Sequence, residues 1–161
     1  MDLQLINANK KDANDLFAIQ QIAFMPLLEK YKDYDTNPAN ETLNKMIKRI
    51  QNSSGRFYKI VYNNQLVGGI NVLWREGTHE YRISPMFISP EFQGIGIAQE
   101  TLRMVESFYP LATSWELATI KEEKRNCHLY EKFGYVQTDK PRKINENTTL
   151  IFYKKALNKD L

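Results

Sequence analysis

Two glycines one residue apart, Gly94 and Gly96, lie between a β-prone segment and a helical one, and this arrangement could bind phosphate. The apolar segment before them ends at Ile88, and Pro90 stops it. Apolar residues then recur at helical spacing at Ala98, Leu102, Val105 and Tyr109. The first turn of a helix has N–H donors without internal partners and a partial positive charge. Because glycine puts no side chain in the way, the sequence predicts a socket for phosphate oxygens here.

The glycine pair alone has other interpretations. A tight turn that only needs positive φ would also place glycine at these positions. A dinucleotide-binding fingerprint needs glycine or alanine three residues after Gly96, where Gln99 stands, followed by a strand with an acidic end. A Walker phosphate loop is excluded, because no Gly-Lys-Ser or Gly-Lys-Thr follows.

The wider sequence resembles the GCN5-related N-acetyltransferase (GNAT) family. The motif Gln93-x-x-Gly96-x-Ala98 is similar to the family's acyl-CoA pyrophosphate loop, which is usually Gln or Arg, two residues, Gly, one residue, and Gly or Ala. Residues 87–90 look like the strand ending before that loop, and residues 129–135 look like the family's late helix and the turn after it. The order of elements is also similar, so the resemblance covers nearly the whole chain.

The composition suits one globular domain over residues 1–161, since 42% of the residues are apolar and 12% are aromatic. A net charge of +3 from scattered Lys and Arg residues does not indicate a nucleic-acid partner, and an anionic small ligand would be enough. A lone cysteine, Cys127, rules out an internal disulfide, and the N-terminal residues lack a signal-peptide pattern. We therefore expect a cytoplasmic monomer or homodimer with no membrane partner.

The first third of the chain is predicted to be mainly helical. After a strand at Leu3–Ile6, a helix runs through Leu16, Ile19 and Ala23 until Pro26 ends or bends it. Residues 29–35 are predicted to form a loop or a short irregular helix. A second helix carries Leu43, Met46, Ile47 and Ile50, with Asn37 as its N-cap, Pro38 as its first residue and its end at Asn52.

The remaining elements are mostly strands. A hairpin of residues 57–62 and 66–74 turns at Asn63-Asn64, and the next strand, residues 79–88, contains Pro85, which should mark a bulge or an edge. After the glycine-loop helix come a strand through Trp115, Leu117 and Thr119, a helix over about 121–133 ending on Gly134, and strands at 135–138 and 148–153. The last two strands are separated by a polar loop that holds Lys140, Arg142 and Lys143.

This order is of the α/β class. By resemblance, it implies the GNAT acyl-CoA N-acyltransferase fold, a mixed central sheet of about seven strands flanked by about four helices. In that fold the fourth strand, holding Met86 to Ile88, splays from the fifth, holding Trp115 to Thr119, and the acyl-CoA arm enters the gap. A ligand that accepts hydrogen bonds there would satisfy the N–H groups that splaying leaves free.

The resemblance implies an acetyl-CoA-dependent N-acetyltransferase acting on a primary amine. The reaction needs a bound thioester, a neutral amine, stabilisation of the oxyanion and a proton for the thiolate. A backbone N–H in the fourth strand could polarise the thioester carbonyl. The residues expected to bind the cofactor are Met86, Phe87, Ile88, Gln93, Gly94, Ile95, Gly96, Ile97, Ala98 and Asn126.

Tyr130 stands where the family places the tyrosine that protonates the thiolate. A phenol is protonated at neutral pH and can donate, although periodicity alone also allows Tyr130 to be a core aromatic. Seven residues earlier, where the family often has a pantetheine-contacting asparagine, this chain has Glu123. Asn126 is the alternative for that contact.

The general base is predicted to be Glu80, with Glu116 as a second candidate and His79 and His128 as other titrating groups. Either carboxylate could equally be a solvated strand position. Cys127 is expected to be a small core residue. No pair of residues has metal-ligand spacing, so no metal is expected.

The acceptor site is predicted from the segment that joins the first two helices, which usually forms one wall of that site in this fold. The segment interleaves acids with tyrosines: Glu29, Tyr31, Asp33, Tyr34 and Asp35. Such a wall would suit a small cationic amine, with a peptide N-terminus or lysine side chain as the alternative acceptor. An exposed acidic loop is the plain alternative for the segment.

For the function of the whole chain, the alternatives are a non-catalytic acyl-CoA sensor and, less favoured, a nucleic-acid binder.

Overall fold

The computed structural model describes residues 1–157, which form a mixed seven-stranded sheet with four α-helices packed on it. The strands are β1 (Leu3–Asn7), β2 (Gly55–Tyr62), β3 (Gln65–Trp74), β4 (Glu80–Ile88), β5 (Ser114–Ile120), β6 (Val136–Asn145) and β7 (Thr148–Ala156). The helices are α1 (Ala13–Tyr31), α2 (Leu43–Gln51), α3 (Ile97–Phe108) and α4 (Lys124–Lys132). The sheet order is β1-β2-β3-β4-β5-β7-β6, and β4 and β5 are its one parallel pair within residues 1–157. The predicted fold class is confirmed.

Two apolar clusters hold the helices to the sheet. Helix α3 buries Ile97, Leu102 and Val105 in the larger cluster. The smaller cluster joins Leu16 of α1 and Met46 of α2 to Phe57 and Phe87 of the sheet. Burial of each such side chain contributes about 1.5–3 kcal/mol, so the helices that flank the site are fixed by packing.

Strands β4 and β5 are paired only at their first residues. The pairing runs from Glu80 opposite Ser114 to Arg82 opposite Glu116 and then stops. Residues 86–88 of β4 still pair with β3 on their other side, so one edge of β4 is left open. The prediction that these two strands splay is confirmed.

The predicted bulge at Pro85 is also present. The register between β3 and β4 shifts between Ile70 and Val72, opposite the proline. Buried Asn71 donates a hydrogen bond from Nδ2 to the Ser84 carbonyl, 2.9 Å away. A carbonyl that the shifted ladder would leave unpaired is thereby satisfied.

An aromatic cluster closes the end where β4 and β5 meet. The rings of Tyr81 and Trp115 stack with centroids 5.1 Å apart, and Tyr109 lies 4.6 Å from Tyr81. Trp74 packs edge-on against Tyr81 at 6.0 Å. Each aromatic pair contributes about 0.5–1.5 kcal/mol of stability beyond that of its buried area. The cluster therefore stabilises the contact between β4 and β5, where only a few backbone pairs form.

In the first third, Pro26 does not end the first helix, and the prediction that Asn37 caps the second is wrong. Helix α1 continues through Pro26 to Tyr31 and ends at Lys32, which has a left-handed φ of 55°. The proline removes one hydrogen bond, to the carbonyl of Ile22, at a residue exposed enough for water to replace it. Asn37 caps a short 3-10 helix, Pro38–Asn40, while Thr42 caps α2.

The basic loop predicted near the C-terminus is wrong too, because Lys140, Arg142 and Lys143 belong to β6. Arg142 pairs with Leu150 and Lys143 with Thr149 after an irregularity in the register. Strand β6 is the exposed edge of the sheet, so it lacks the apolar alternation by which a strand is recognised in a sequence.

Candidate active site

The open ends of β4 and β5 form a cleft of about 310 Å³. Helix α1 and the residues after it form one wall, and helix α4 with β6 and β7 forms the other. The side chains that matter most for its chemistry are Asp33, Arg82, Met86, Glu123, Asn126, Tyr130 and Arg142.

The glycine loop lies at the end of β4 and leads directly into α3. Gly94 and Gly96 have φ of 79° and 94°, and Gly96 is the N-cap of α3. Gln93 donates from Nε2 to the Ile88 carbonyl at 2.9 Å, which ties the loop to the strand. Ile97 is buried, whereas Ile95 is half exposed, so Ile97 anchors the loop in the core.

This loop fits a phosphate group. The Glu100 N–H already donates to the Gly96 carbonyl at 3.1 Å, whereas the three N–H groups before it in α3 have no helical partner. A Cβ on Gly96 would meet nothing closer than the Met1 side chain at 3.7 Å. Free donors therefore face open space at the positive end of the helix.

Arg125, in the first turn of α4, lies over the same loop. Its Nη2 is 2.8 Å from the point where a Cβ on Gly94 would be. Its side chain makes no hydrogen bond or ion pair within residues 1–157. The sequence analysis missed this residue, because nothing local indicates that a helix 31 positions along the chain approaches the loop.

Tyr130 lines the cleft from α4. Its ring packs on Tyr135 and Tyr153, at 6.0 and 6.1 Å between centroids. Burial, with a smaller contribution from Cys127, raises the pKa of Tyr130 to about 12. The hydroxyl therefore stays protonated at neutral pH and can donate a proton.

Glu123, Asn126 and Tyr130 all line the cleft. Asn126 and Tyr130, four residues apart, share one face of α4, and Glu123 is the N-cap of that helix. Glu123 accepts hydrogen bonds from the Tyr31 hydroxyl at 2.5 Å and from Lys30 Nζ at 3.3 Å. Asn126 is half-buried, and its side chain has no hydrogen bond within the described part of the chain. Its amide can therefore contact a ligand.

The predicted base, Glu80, is not brought to the cleft. It is exposed and lies at the closed end of the sheet, opposite Ser114. Glu116 is also outside the cleft and lies 3.9 Å from Lys154 Nζ. Within the described residues, Glu123 and Asp33 are the carboxylates that line the cleft.

The other titrating candidates also lie elsewhere. His79 is exposed in the turn before β4, and His128 lines a separate groove along α4 and β7. Cys127 is buried, with its thiol 3.6 Å from the Ile120 carbonyl. This is the core position expected for Cys127.

The predicted acceptor wall is assembled only in part. Asp33 lines the cleft, but Glu29, Tyr31 and Tyr34 do not. Tyr31 is buried against Glu123, whereas Glu29 and Tyr34 are exposed. The Asp33 carboxylate already accepts from the backbone N–H of Thr36 at 3.0 Å and from its hydroxyl.

Within residues 1–157, no group of three or more His, Cys, Asp or Glu side chains could hold a metal ion. No helix in this range is long and apolar enough to cross a membrane.

Comparison with protein families gives one match that covers most of the chain. Residues 27–157 match the acetyltransferase (GNAT) domain. No curated protein matches the chain significantly.

Three solved structures illustrate the shared fold. The chain is 16% identical to spermidine N-acetyltransferase of Vibrio cholerae in complex with CoA and spermine, with a TM-score of 0.75 and coverage of 96% and 95% of the two chains. It is 12% identical to the paia N-acetyltransferase of Thermoplasma acidophilum in complex with coenzyme A, with a TM-score of 0.73 and coverage of 98% and 100%. It is 11% identical to the ribosomal-protein-S18-alanine N-acetyltransferase of Escherichia coli, with a TM-score of 0.76 and coverage of 99% and 98%.

Proposed function

Because this chain belongs to the GNAT acetyltransferase family and is therefore an N-acetyltransferase, we propose that its cleft brings acetyl-CoA together with a small primary amine. One observation carries this proposal. Met86 on the unpaired edge of β4 and Tyr130 on α4 line the same cleft, and the glycine loop follows the end of that strand and leads into α3. A phosphate socket, an unpaired strand edge and a proton donor are the three features that an acyl-CoA ligand would use.

The residues proposed to hold acetyl-CoA fall into two groups. The loop from Gln93 to Ala98 would bind the pyrophosphate through N–H groups, and Arg125 would add a positive charge beside it. The open edge of β4 at residues 86–88 would pair with the pantetheine arm, with Asn126 as a side-chain contact. When bound, acetyl-CoA supplies a thioester whose C–S bond breaks as the amine forms its N–C bond.

The proton transfers are assigned to α4. Tyr130 holds a proton that it can give to a leaving thiolate, because burial keeps the phenol neutral. We propose Glu123 in place of Glu80 as the group that takes the proton from the amine, since Glu123 lines the cleft and Glu80 does not. The hydrogen bond from Tyr31 holds the Glu123 carboxylate in place.

The acceptor is proposed to be small. A volume of about 310 Å³ is at the lower end of the range for ligand pockets. The sequence predicted a small cationic amine bound by the acids near the end of α1. Of those predicted residues, Asp33 lines the cleft. Polyamines and short peptides therefore enter the test as comparison acceptors.

Thiol release from acetyl-CoA with a panel of amines tests this function. The panel contains amino acids, polyamines, aminoglycosides and short peptides, and acetyl-CoA binding is measured separately by calorimetry. We expect at least one small primary amine to be acetylated well above background, and the Glu123→Gln variant to lose kcat. If acetyl-CoA binds but no amine reacts, the chain is an acyl-CoA sensor and the proposal fails.

Other properties remain predictions from the sequence. These are a single domain over residues 1–161, of which 158–161 lie outside the described residues, a cytoplasmic location, and a monomeric or homodimeric state without nucleic-acid or membrane partners. Size-exclusion chromatography with light scattering measures the oligomeric state directly.

A further inference from the structure

We propose that the acceptor amine also carries an anionic group, and that Arg82 and Arg142 bind it. The preferred substrate would then be an amino acid or a related amine with a carboxylate or phosphonate. This inference rests on the proposed function, and it replaces the cationic acceptor expected from the sequence with a zwitterionic one.

Arg82 lies where β4 and β5 begin to separate. It is the last residue of β4 that pairs with β5, opposite Glu116. The neighbouring Ile83 packs in the larger core cluster, so Arg82 points to the other face of the sheet, where α1 lies. Arg82 lines the cleft and has no ion pair within the described residues, and the Glu116 carboxylate opposite it lies 3.9 Å from Lys154 Nζ.

Arg142 reaches the cleft from the opposite side. It pairs on β6 with Leu150 of β7, and Leu150 in turn pairs with Ile120 of β5. Arg142, Leu150 and Ile120 all line the cleft. Like Arg82, Arg142 has no ion pair or side-chain hydrogen bond within residues 1–157.

The acids of the cleft already have partners. Asp33 is held by Thr36, and Glu123 is held by Tyr31 and Lys30. Among the described cleft residues, the charged side chains that make neither a hydrogen bond nor an ion pair are therefore Arg82 and Arg142, both positive. An anion bound in this cleft could accept paired hydrogen bonds from the guanidinium forks of these two side chains.

A zwitterion matches the whole charge pattern of the cleft. Its carboxylate would lie toward Arg82 and Arg142, and its amine toward Glu123 and Tyr130 on α4. A polyamine would instead bring cationic charge to both arginines, which disfavours its binding.

The experiment compares amines that differ only in the anionic group. Each L-amino acid is assayed with acetyl-CoA beside its carboxamide and its decarboxylated amine, and aminoalkylphosphonates provide the phosphonate arm. We expect the best carboxylate or phosphonate acceptor to exceed its uncharged analogues by roughly tenfold or more in kcat/KM. Equal or better turnover of the carboxamide, the decarboxylated amine or a polyamine would overturn the inference and leave the acetyltransferase function standing.

Two variants locate the effect. Arg82→Gln and Arg142→Gln are each expected to raise KM for the anionic acceptor roughly tenfold, with KM for acetyl-CoA unchanged, and to reduce the preference over the carboxamide. Arg75→Gln, at an exposed turn outside the cleft, is the matched control. Both arginines are exposed, so the variants are expected to fold, which circular dichroism checks. Unchanged discrimination in both folded variants would exclude this site, and no turnover of any amine would remove the proposed function together with the inference.

Discussion

The proposed cofactor end and the proposed acceptor end of the cleft are built in different ways. At the cofactor end, the donors are mainly backbone N–H groups of one continuous stretch, the end of β4 and the loop into α3. At the acceptor end, the groups are side chains from separate elements: Asp33 after α1, Arg82 on β4, Glu123 before α4 and Arg142 on β6. Single side-chain changes should therefore alter acceptor choice without disturbing cofactor binding.

The largest effect is expected from Gly96→Asp, which should affect the cofactor end alone. Aspartate would place a carboxylate in front of free N–H groups, so acetyl-CoA affinity should fall by about three orders of magnitude. The φ of 94° at Gly96 also strains any other residue, which costs about 1–2 kcal/mol of stability.

Gly77→Asp is the matched control for that strain. Gly77 has φ of 80° with nothing within 4 Å of an added Cβ, and it lies in a turn away from the cleft. Calorimetry should show near wild-type acetyl-CoA affinity for Gly77→Asp. Tight acetyl-CoA binding by a folded Gly96→Asp variant would refute the assignment of the loop.

Tyr130→Phe acts where the two ends meet. We expect kcat to fall about a hundredfold, because the variant cannot donate the proton, while KM for acetyl-CoA changes little. Tyr81→Phe, at the closed end of the sheet, removes a hydroxyl outside the cleft and should keep its kcat. Wild-type kcat in Tyr130→Phe at saturating substrates would make Tyr130 a packing residue only.

Arg125→Gln gives the cofactor-end counterpart of the Arg82 variant. Loss of one charge-assisted contact should raise the dissociation constant for acetyl-CoA roughly tenfold, with KM for the amine unchanged. The difference from wild type should shrink as salt screens the guanidinium. Arg82→Gln should instead raise KM for the amine and leave acetyl-CoA binding unchanged. If both variants alter the same one of these two constants, the separation of the two ends is wrong.

The last expected effect concerns stability at alkaline pH rather than ligand binding or turnover. The folded protein keeps the Tyr130 proton up to a pKa of about 12, whereas the unfolded chain releases it at 10.0. The free energy of unfolding should therefore fall as pH rises from about 10 to about 12, by up to about 1.4 kcal/mol per pH unit for this group. When the free energy of unfolding is measured by urea titration at each pH, it should fall less steeply with pH in Tyr130→Phe. The difference in slope should correspond to about one proton. An unchanged slope would mean that Tyr130 is accessible to solvent.

The sequence could predict the parts of the site that are local. The glycine loop, the strand before it and Tyr130 depend on spacing within short segments: Gly96 caps α3 after the end of β4, and Tyr130 lines the cleft. The sequence analysis named Glu123 and Asn126 only as candidates for a pantetheine contact, and it assigned the base to Glu80. Choosing between Glu80 and Glu123 needs the direction in which the sheet opens.

The rest of the site depends on long-range contacts. Arg82 and Arg142 are 60 residues apart in the chain, and they share a cleft only because β7 lies between β5 and β6 in the sheet. Strand β6 lacks apolar alternation, so Arg142 was predicted in a loop. The acids after α1 were predicted to face the acceptor, but the hydrogen bonds that occupy Asp33 and Tyr31 cannot be inferred from composition.

The short pairing of β4 with β5 also affects the mechanics of the molecule. Strands β1–β4 form one half-sheet and β5–β7 form another, and within residues 1–157 the backbone pairing that joins them runs only from Glu80 to Arg82 on β4. The aromatic cluster of Tyr81 and Trp115 reinforces that junction at one end only. A ligand lying between the open edges would contact both half-sheets and hold them together. Binding and folding are then linked, and a ligand at a hundred times its dissociation constant would add about 2.7 kcal/mol to the free energy of unfolding.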